Sequence, residues 1–173
     1  MIQVELVGLR VEMPTNTPVV ILREKIDGGR VLPIFIGGPE ATAIAFALEG
    51  VETTRPMTHD LWIDTIGGLD ITLDRVEITE IRDRIFYAEL VLLHNGVEGS
   101  QEVRVSSRPS DALALALRAH ASIFVAESVI EQAGQPPESA DVASSAGEAG
   151  ESEELVEEFR QFLNDIDPTD FQS

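Results

Sequence analysis

No cysteine occurs anywhere in the 173 residues, which excludes disulfides, thiolate zinc sites and thiol nucleophiles together. Stability must come from packing, and any chemistry from oxygen, guanidinium or imidazole groups. Imidazoles are few: His59, His94 and His120. No apolar run reaches the roughly 18 residues of a membrane span. The opening Met-Ile-Gln-Val-Glu-Leu lacks the basic and apolar regions of a signal peptide. The expected location is therefore cytoplasmic, with no membrane partner.

Basic residues are also scarce, and lysine nearly absent: Lys25 is the one lysine among 12 bases. Arginine's planar, permanently charged fork suits bidentate pairing with carboxylate or phosphate. The net charge of −19 divides almost evenly. Residues 134–173 hold 11 acids against Arg160, a net of −10, while residues 1–133 hold 20 acids against 11 bases, a net of −9. A domain of that sign lacks the broad basic field that drives general nucleic-acid affinity, so a nucleic-acid function would need a local arginine or metal site.

The hydrophobic pattern predicts an α+β fold, with mostly antiparallel sheets and helices packed on them, over residues 1–133. Apolar positions alternate from Ile2 to Met13 and change phase beside Gly8, which predicts a bulged strand. Val19 to Leu22 and Val31 to Ile36 form further strands around an Asp27-Gly28-Gly29 turn. Ala41, Ile44, Ala45 and Leu48 recur at helical spacing before Gly50. Pro56 and Thr58 open a second helix that closes at Gly67-Gly68, with Thr58 as its expected cap. A second β region runs through Ile71 to Ile78, with a bulge near Asp74 and Arg75, and through Ile85 to Leu93. His94-Asn95-Gly96 is read as a turn before Val103 and Val105.

Pro109 heads the run from Asp111 to Arg118, whose Ala and Leu favour a buried helix over a strand, with Ser110 or Asp111 as its expected cap. Ser122 to Val125 is a short strand and Glu127 to Ala133 a short helix ended by Gly134. Residues 134–150 have the composition of a disordered acidic linker. Residues 151–167 place Leu155, Phe159, Phe162 and Ile166 on one face of an amphipathic C-terminal helix. That helix docks on its own domain or on a protein partner. Residues 168–173 form a tail after it.

Three polar clusters punctuate this pattern: Leu32-Pro33-Ile34-Phe35-Ile36-Gly37 followed by Glu40-Ala41, Arg55-Pro56-Met57-Thr58-His59-Asp60-Leu61, and Arg108-Pro109-Ser110-Asp111-Ala112. With Phe86-Tyr87-Ala88-Glu89-Leu90, their order and spacing resemble the bifunctional nuclease domain family over about residues 2–133. The resemblance implies an α+β fold, a homodimer, and cleavage of RNA and DNA. Two positions depart from the usual family pattern. Ser106 stands where many members carry Asp, and Asp83-Arg84-Ile85-Phe86-Tyr87 replaces Asp-Gly-Thr-Phe-Tyr.

Phosphodiester hydrolysis needs an activated water, neutralised phosphorane charge and a protonated leaving oxygen. The clusters supply candidates for each. Glu40, Asp60 and Asp111 would act at the catalytic centre and hold a divalent Mg or Mn ion. His59 would move a proton, and Arg55, Arg108 and Ser110 would contact substrate. Each also has a structural reading: carboxylates in first turns favour helix dipoles, and arginines pair with them. Trp62, Phe86 and Tyr87 either stack on bases or fill the core. Two other functions fit the same sequence. One is a non-catalytic dimeric interaction or regulatory module that recruits a partner through the tail. In the other, the acidic tail mimics nucleic acid and covers Arg55 and Arg108.

Overall fold

The computed structural model describes residues 1–96 and 99–137. Two antiparallel meanders form its frame. β1 (Ile2–Glu12), β2 (Thr17–Glu24) and β3 (Val31–Phe35) make the first. The second consists of β4 (Ile71–Arg82), β5 (Ile85–Gly96) and β6 (Gly99–Ser107). β7 (Ser122–Val125) joins them, antiparallel to β1 and parallel to β4, giving one sheet in the order β3-β2-β1-β7-β4-β5-β6. The sequence predicts β7 as a short strand over Ser122–Val125, but not that it fuses the two meanders.

Both expected bulges are present. Leu6 faces Leu22 and Gly8 faces Ile21, leaving Val7 extra, which accounts for the phase change in β1. The register shifts again between Leu73 and Arg75, and once more between Ile78 and Glu80. Arg82 pairs with Ile85, so Asp83 and Arg84 form a two-residue turn with φ of 51° and 64°. His94 is not a turn residue: it lies in β5 between Ile71 and Gln101, because the strand continues to Gly96.

Four helices pack on one face of the sheet: α1 (Gly38–Glu49), α2 (Thr58–Gly67), α3 (Pro109–Ala119) and α4 (Glu127–Ala133). Alternate strand residues, including Val20, Leu22, Leu32, Ile34, Val76, Ile78, Leu90 and Leu92, meet Ile44, Leu113 and Ile130 in a single core. Residues Ala112–Ala116 are all buried, so α3 is the central helix, as its nearly uniform apolarity predicts. Each fully buried Leu, Ile or Val there contributes about 1.5–3 kcal/mol. The opposite sheet face carries an ion network instead. Buried Glu77 accepts from Arg75 Nε (2.7 Å) and Arg104 Nη1 (2.8 Å), and Arg104 also reaches Glu89 and Glu102.

The starts of α2 and α3 differ from expectation, that of α3 because of its proline. A proline at the first or second position pushes the residue before it into extended backbone, the conformation of an N-cap. Arg108 (φ −73°, ψ 146°), and neither Ser110 nor Asp111, therefore caps α3. Gly37 caps α1 just before Gly38-Pro39. In α2 the cap is Met57 rather than Thr58, and the Asp60 carboxylate accepts its N–H at 2.8 Å.

The compact unit runs from Met1 to Pro137. Gln135 exchanges both backbone hydrogen bonds with Val31 (2.8 and 2.9 Å), which ties this segment to β3. The expected helix over 151–167, the tail, and the linker from residue 138 onward lie outside the described residues.

Candidate functional site

Each of α1, α2 and α3 carries a carboxylate at its third position: Glu40, Asp60 and Asp111. Such placement is favoured by the partial positive charge of a helix N-terminus, by about 0.3–1 kcal/mol each. What distinguishes the three is where their oxygens go.

Arg108 gathers two of them. Its Nε and Nη2 donate to Asp111 Oδ2 and Oδ1 at 2.7 and 2.9 Å, a bidentate pair, and its Nη1 donates to Glu40 Oε1 at 2.8 Å. The N-termini of α1 and α3 are thereby bridged by one guanidinium whose side chain is 64% exposed. The two carboxylates raise the affinity of Arg108 for its proton, with Asp111 the stronger influence. His59, at the second position of α2, brings in the third helix: its Nε2 lies 3.8 Å from Asp111 Oδ1. That spacing is an electrostatic contact, longer than a hydrogen bond. The imidazole is largely covered, at 20% exposure.

Asp60 lies outside this group. Its second oxygen accepts from Arg118 Nε, two helical turns along α3 from Asp111. Burial pushes the Asp60 carboxyl up, but hydrogen bonds from Arg118 and the Met57 N–H outweigh this and hold it below the usual aspartate range. Arg118 also donates to the carbonyls of Ala43 (3.0 Å) and Ala114 (2.9 Å), so one buried guanidinium ties α1, α2 and α3 together. Sequence reasoning passed over Arg118. Its signal was available: a lone charge in the last turns of an otherwise apolar helix, where burial demands a partner.

The remaining candidates separate. Arg55 is exposed in the segment leading to α2, and its side chain has no ion-pair partner among the described residues. Ser110 is buried at 7% exposure and so lies off the accessible surface that Arg108 occupies. Trp62 and Phe86 pack against the core, and Tyr87 lies 5.0 Å beneath the Arg82 guanidinium.

The donor set does not fit the divalent ion expected from the sequence. A guanidinium already stands between Glu40 and Asp111, and a second holds Asp60. Among the described residues no three His, Asp or Glu side chains are gathered as ligands. The arrangement offers instead an imidazole beside a carboxylate, with exposed guanidiniums at or just before helix N-termini.

Comparison with known proteins identifies the family of the chain. Two uncharacterized proteins of Mycobacterium tuberculosis, one from strain CDC 1551 / Oshkosh and one from strain ATCC 25618 / H37Rv, are each 44% identical to the chain. Each alignment spans 173 residues, covering 99% of this chain and 98% of the relative. The family model described as the bifunctional nuclease domain matches residues 20–138, from β2 to just past the bridge at Gln135. The match covers Glu40, His59, Arg108 and Asp111 and omits all of β1, and on its extent the chain belongs to the bifunctional nuclease domain family.

Proposed function

We propose that the protein hydrolyses phosphodiester bonds of RNA or DNA with low sequence specificity, using His59 and Asp111 as its proton-transfer pair. The observation that carries this reading is the approach of His59 to Asp111 at the junction of three helix N-termini. His59 takes a proton from the attacking water as the new P–O bond forms. The P–O bond to the leaving sugar oxygen breaks, and that oxygen takes up a proton from solvent, to which His59 later returns the one it took. Asp111 stabilises the imidazolium so formed, and the contact tightens once that charge exists. Arg55, free of carboxylates among the described residues, meets the phosphate. No step is routed through a metal, and no chemical step is given to Asp60 or Ser110.

The test is cleavage of labelled single-stranded RNA and DNA, with and without Mg2+ or Mn2+. The wild type should yield fragments, and His59→Ala and Asp111→Asn should each abolish them with little change in melting temperature. Unchanged cleavage in both variants would overturn the assignment. A non-catalytic binding module is the second reading, favoured by the pairing of Glu40, Asp60 and Asp111 with arginine. Oligonucleotide binding without fragments under any cation would support it.

A further inference from the structure

We propose that Glu40 is an internal competitor for phosphate on Arg108, a side chain that must swing away before a nucleic-acid phosphate can take the outer edge of the guanidinium. The inference rests on the phosphodiester reading above and names how access to that site is controlled.

The two carboxylates on Arg108 are held unequally. Asp111 engages Nε and Nη2 from the same helix, three residues on, in a closed two-bond geometry. Glu40 makes a single bond to Nη1 from another helix. Nη1 is thus the edge most easily surrendered, and the side chain that bears it is mostly exposed. An incoming phosphate oxygen offers the same bond with a full negative charge, so the exchange replaces one charge-assisted hydrogen bond by another.

The displaced carboxylate has a second home. Glu40 is the third residue of α1, and the capping residue Gly37 receives no side-chain hydrogen bond. The equivalent residue of α2, Asp60, already reaches back to the N–H of its own cap, Met57. Glu40 can do the same at Gly37, where the N–H has no partner among the described residues. Glu40 therefore moves between two partners without being stranded.

Gly37 sets the balance between them. A Cβ added there would fall 2.3 Å from Glu40 Oε2 and 3.2 Å from its Cδ. A side chain at position 37 would crowd the carboxylate in the position from which it reaches Arg108. Its φ of −78° suits any residue, so alanine would shift Glu40 without straining the backbone.

Binding of a short fluorescein-labelled single-stranded DNA, followed by anisotropy in low salt with chelator, tests the proposal on the full chain. Glu40→Gln removes the competitor, and Gly37→Ala displaces it without changing the charge. Each should tighten binding about two- to fivefold, the range for one exposed ion pair. Glu49→Gln, at the far end of the same helix, controls for net charge and should change nothing. Adding Arg108→Ala to either variant should erase the gain. Melting temperatures should stay within a few degrees. If the wild type binds and Arg108→Ala weakens it, but neither Glu40→Gln nor Gly37→Ala gains affinity, the gate is wrong and the site stands. If Glu49→Gln gains as much as Glu40→Gln, the effect is net charge and the gate is again wrong. If neither the wild type nor any variant binds, the phosphodiester reading fails and the gate with it.

Discussion

Replacing Arg118 by methionine keeps the aliphatic stem and deletes the one group that joins three helices. Arg118 is 10% exposed, and the change takes the guanidinium partner from the Asp60 carboxylate and one of the donors from the Ala43 carbonyl. Breaking a buried ion pair from one side costs about 3–5 kcal/mol. Asp60 is 34% exposed and can recover some hydration, so the expected loss falls to about 2–3 kcal/mol. For a fold of this size that corresponds to a fall in Tm of roughly 6–15 °C.

The loss should also depend on pH in a defined direction. Asp60 is held below the ordinary aspartate value, so its contribution is present above the unfolded pKa of about 3.9 and disappears as pH falls through the lower folded value. The gap between wild type and Arg118→Met should be constant near neutrality and narrow below about pH 4. Urea unfolding at a series of pH values, with the slope monitored for two-state behaviour, measures it. A Tm within 1 °C of wild type, or a gap as wide at pH 3 as at pH 7, would refute the argument.

On the opposite face of the sheet, Glu77→Gln should cost about 1–3 kcal/mol by urea unfolding, because the amide offers one acceptor oxygen and no charge to Arg75 and Arg104, and turns an NH2 donor towards one of them. Burial raises the Glu77 carboxyl, but Arg104 and Arg75 lower it by more, so this cost too should shrink in acid. Arg84→Gly should stabilise by about 1 kcal/mol in a thermal melt, since Arg84 sits at a φ of 64° in the β4–β5 turn. Gly29→Ala should destabilise by about 1–3 kcal/mol, because its Cβ would lie 2.5 Å from the Glu24 carbonyl, whereas Gly8→Ala meets nothing and should be tolerated. Arg55→Ala should leave Tm unchanged while weakening oligonucleotide binding and flattening its salt dependence.

The frame of the molecule was legible because period and punctuation agree. The phase change at Gly8 predicts the bulge at Val7, and Pro109 ahead of alternating Ala and Leu predicts the buried α3. The strand β7 was legible as a short apolar run, but its place joining the two meanders was not. Four residues form a strand that any apolar run can imitate, and only tertiary pairing with β1 and β4 makes it the centre of one sheet. The caps were misplaced for a different reason. Preferences for hydroxyl and carboxylate side chains point to Thr58, Ser110 or Asp111, yet the proline constraint on the preceding backbone decides α3, and Asp60 supplies the cap bond of α2 from inside the helix. In the candidate site, sequence could nominate Glu40, His59, Arg108 and Asp111. It could not divide their bonds among partners, because Glu40 and Arg108 are 68 residues apart and their contact exists only once α1 and α3 are packed.

That division bears on what the site residues are for. Carboxylates at the third position of three helices follow from helix electrostatics alone, and two arginines suffice to neutralise them. Nothing in that arrangement requires catalysis. Two groups fall outside it. Helix stability does not call for an imidazole beside Asp111, and Arg55 neutralises no carboxylate among the described residues. A chain with a net charge of −9 over residues 1–133 has few cations to leave unpaired near helix N-termini. His59 and Arg55 are therefore the residues whose replacement separates function from folding. Loss of cleavage or binding at unchanged stability would assign the cluster a chemical role, and loss of stability alone would return it to the architecture of the three helices.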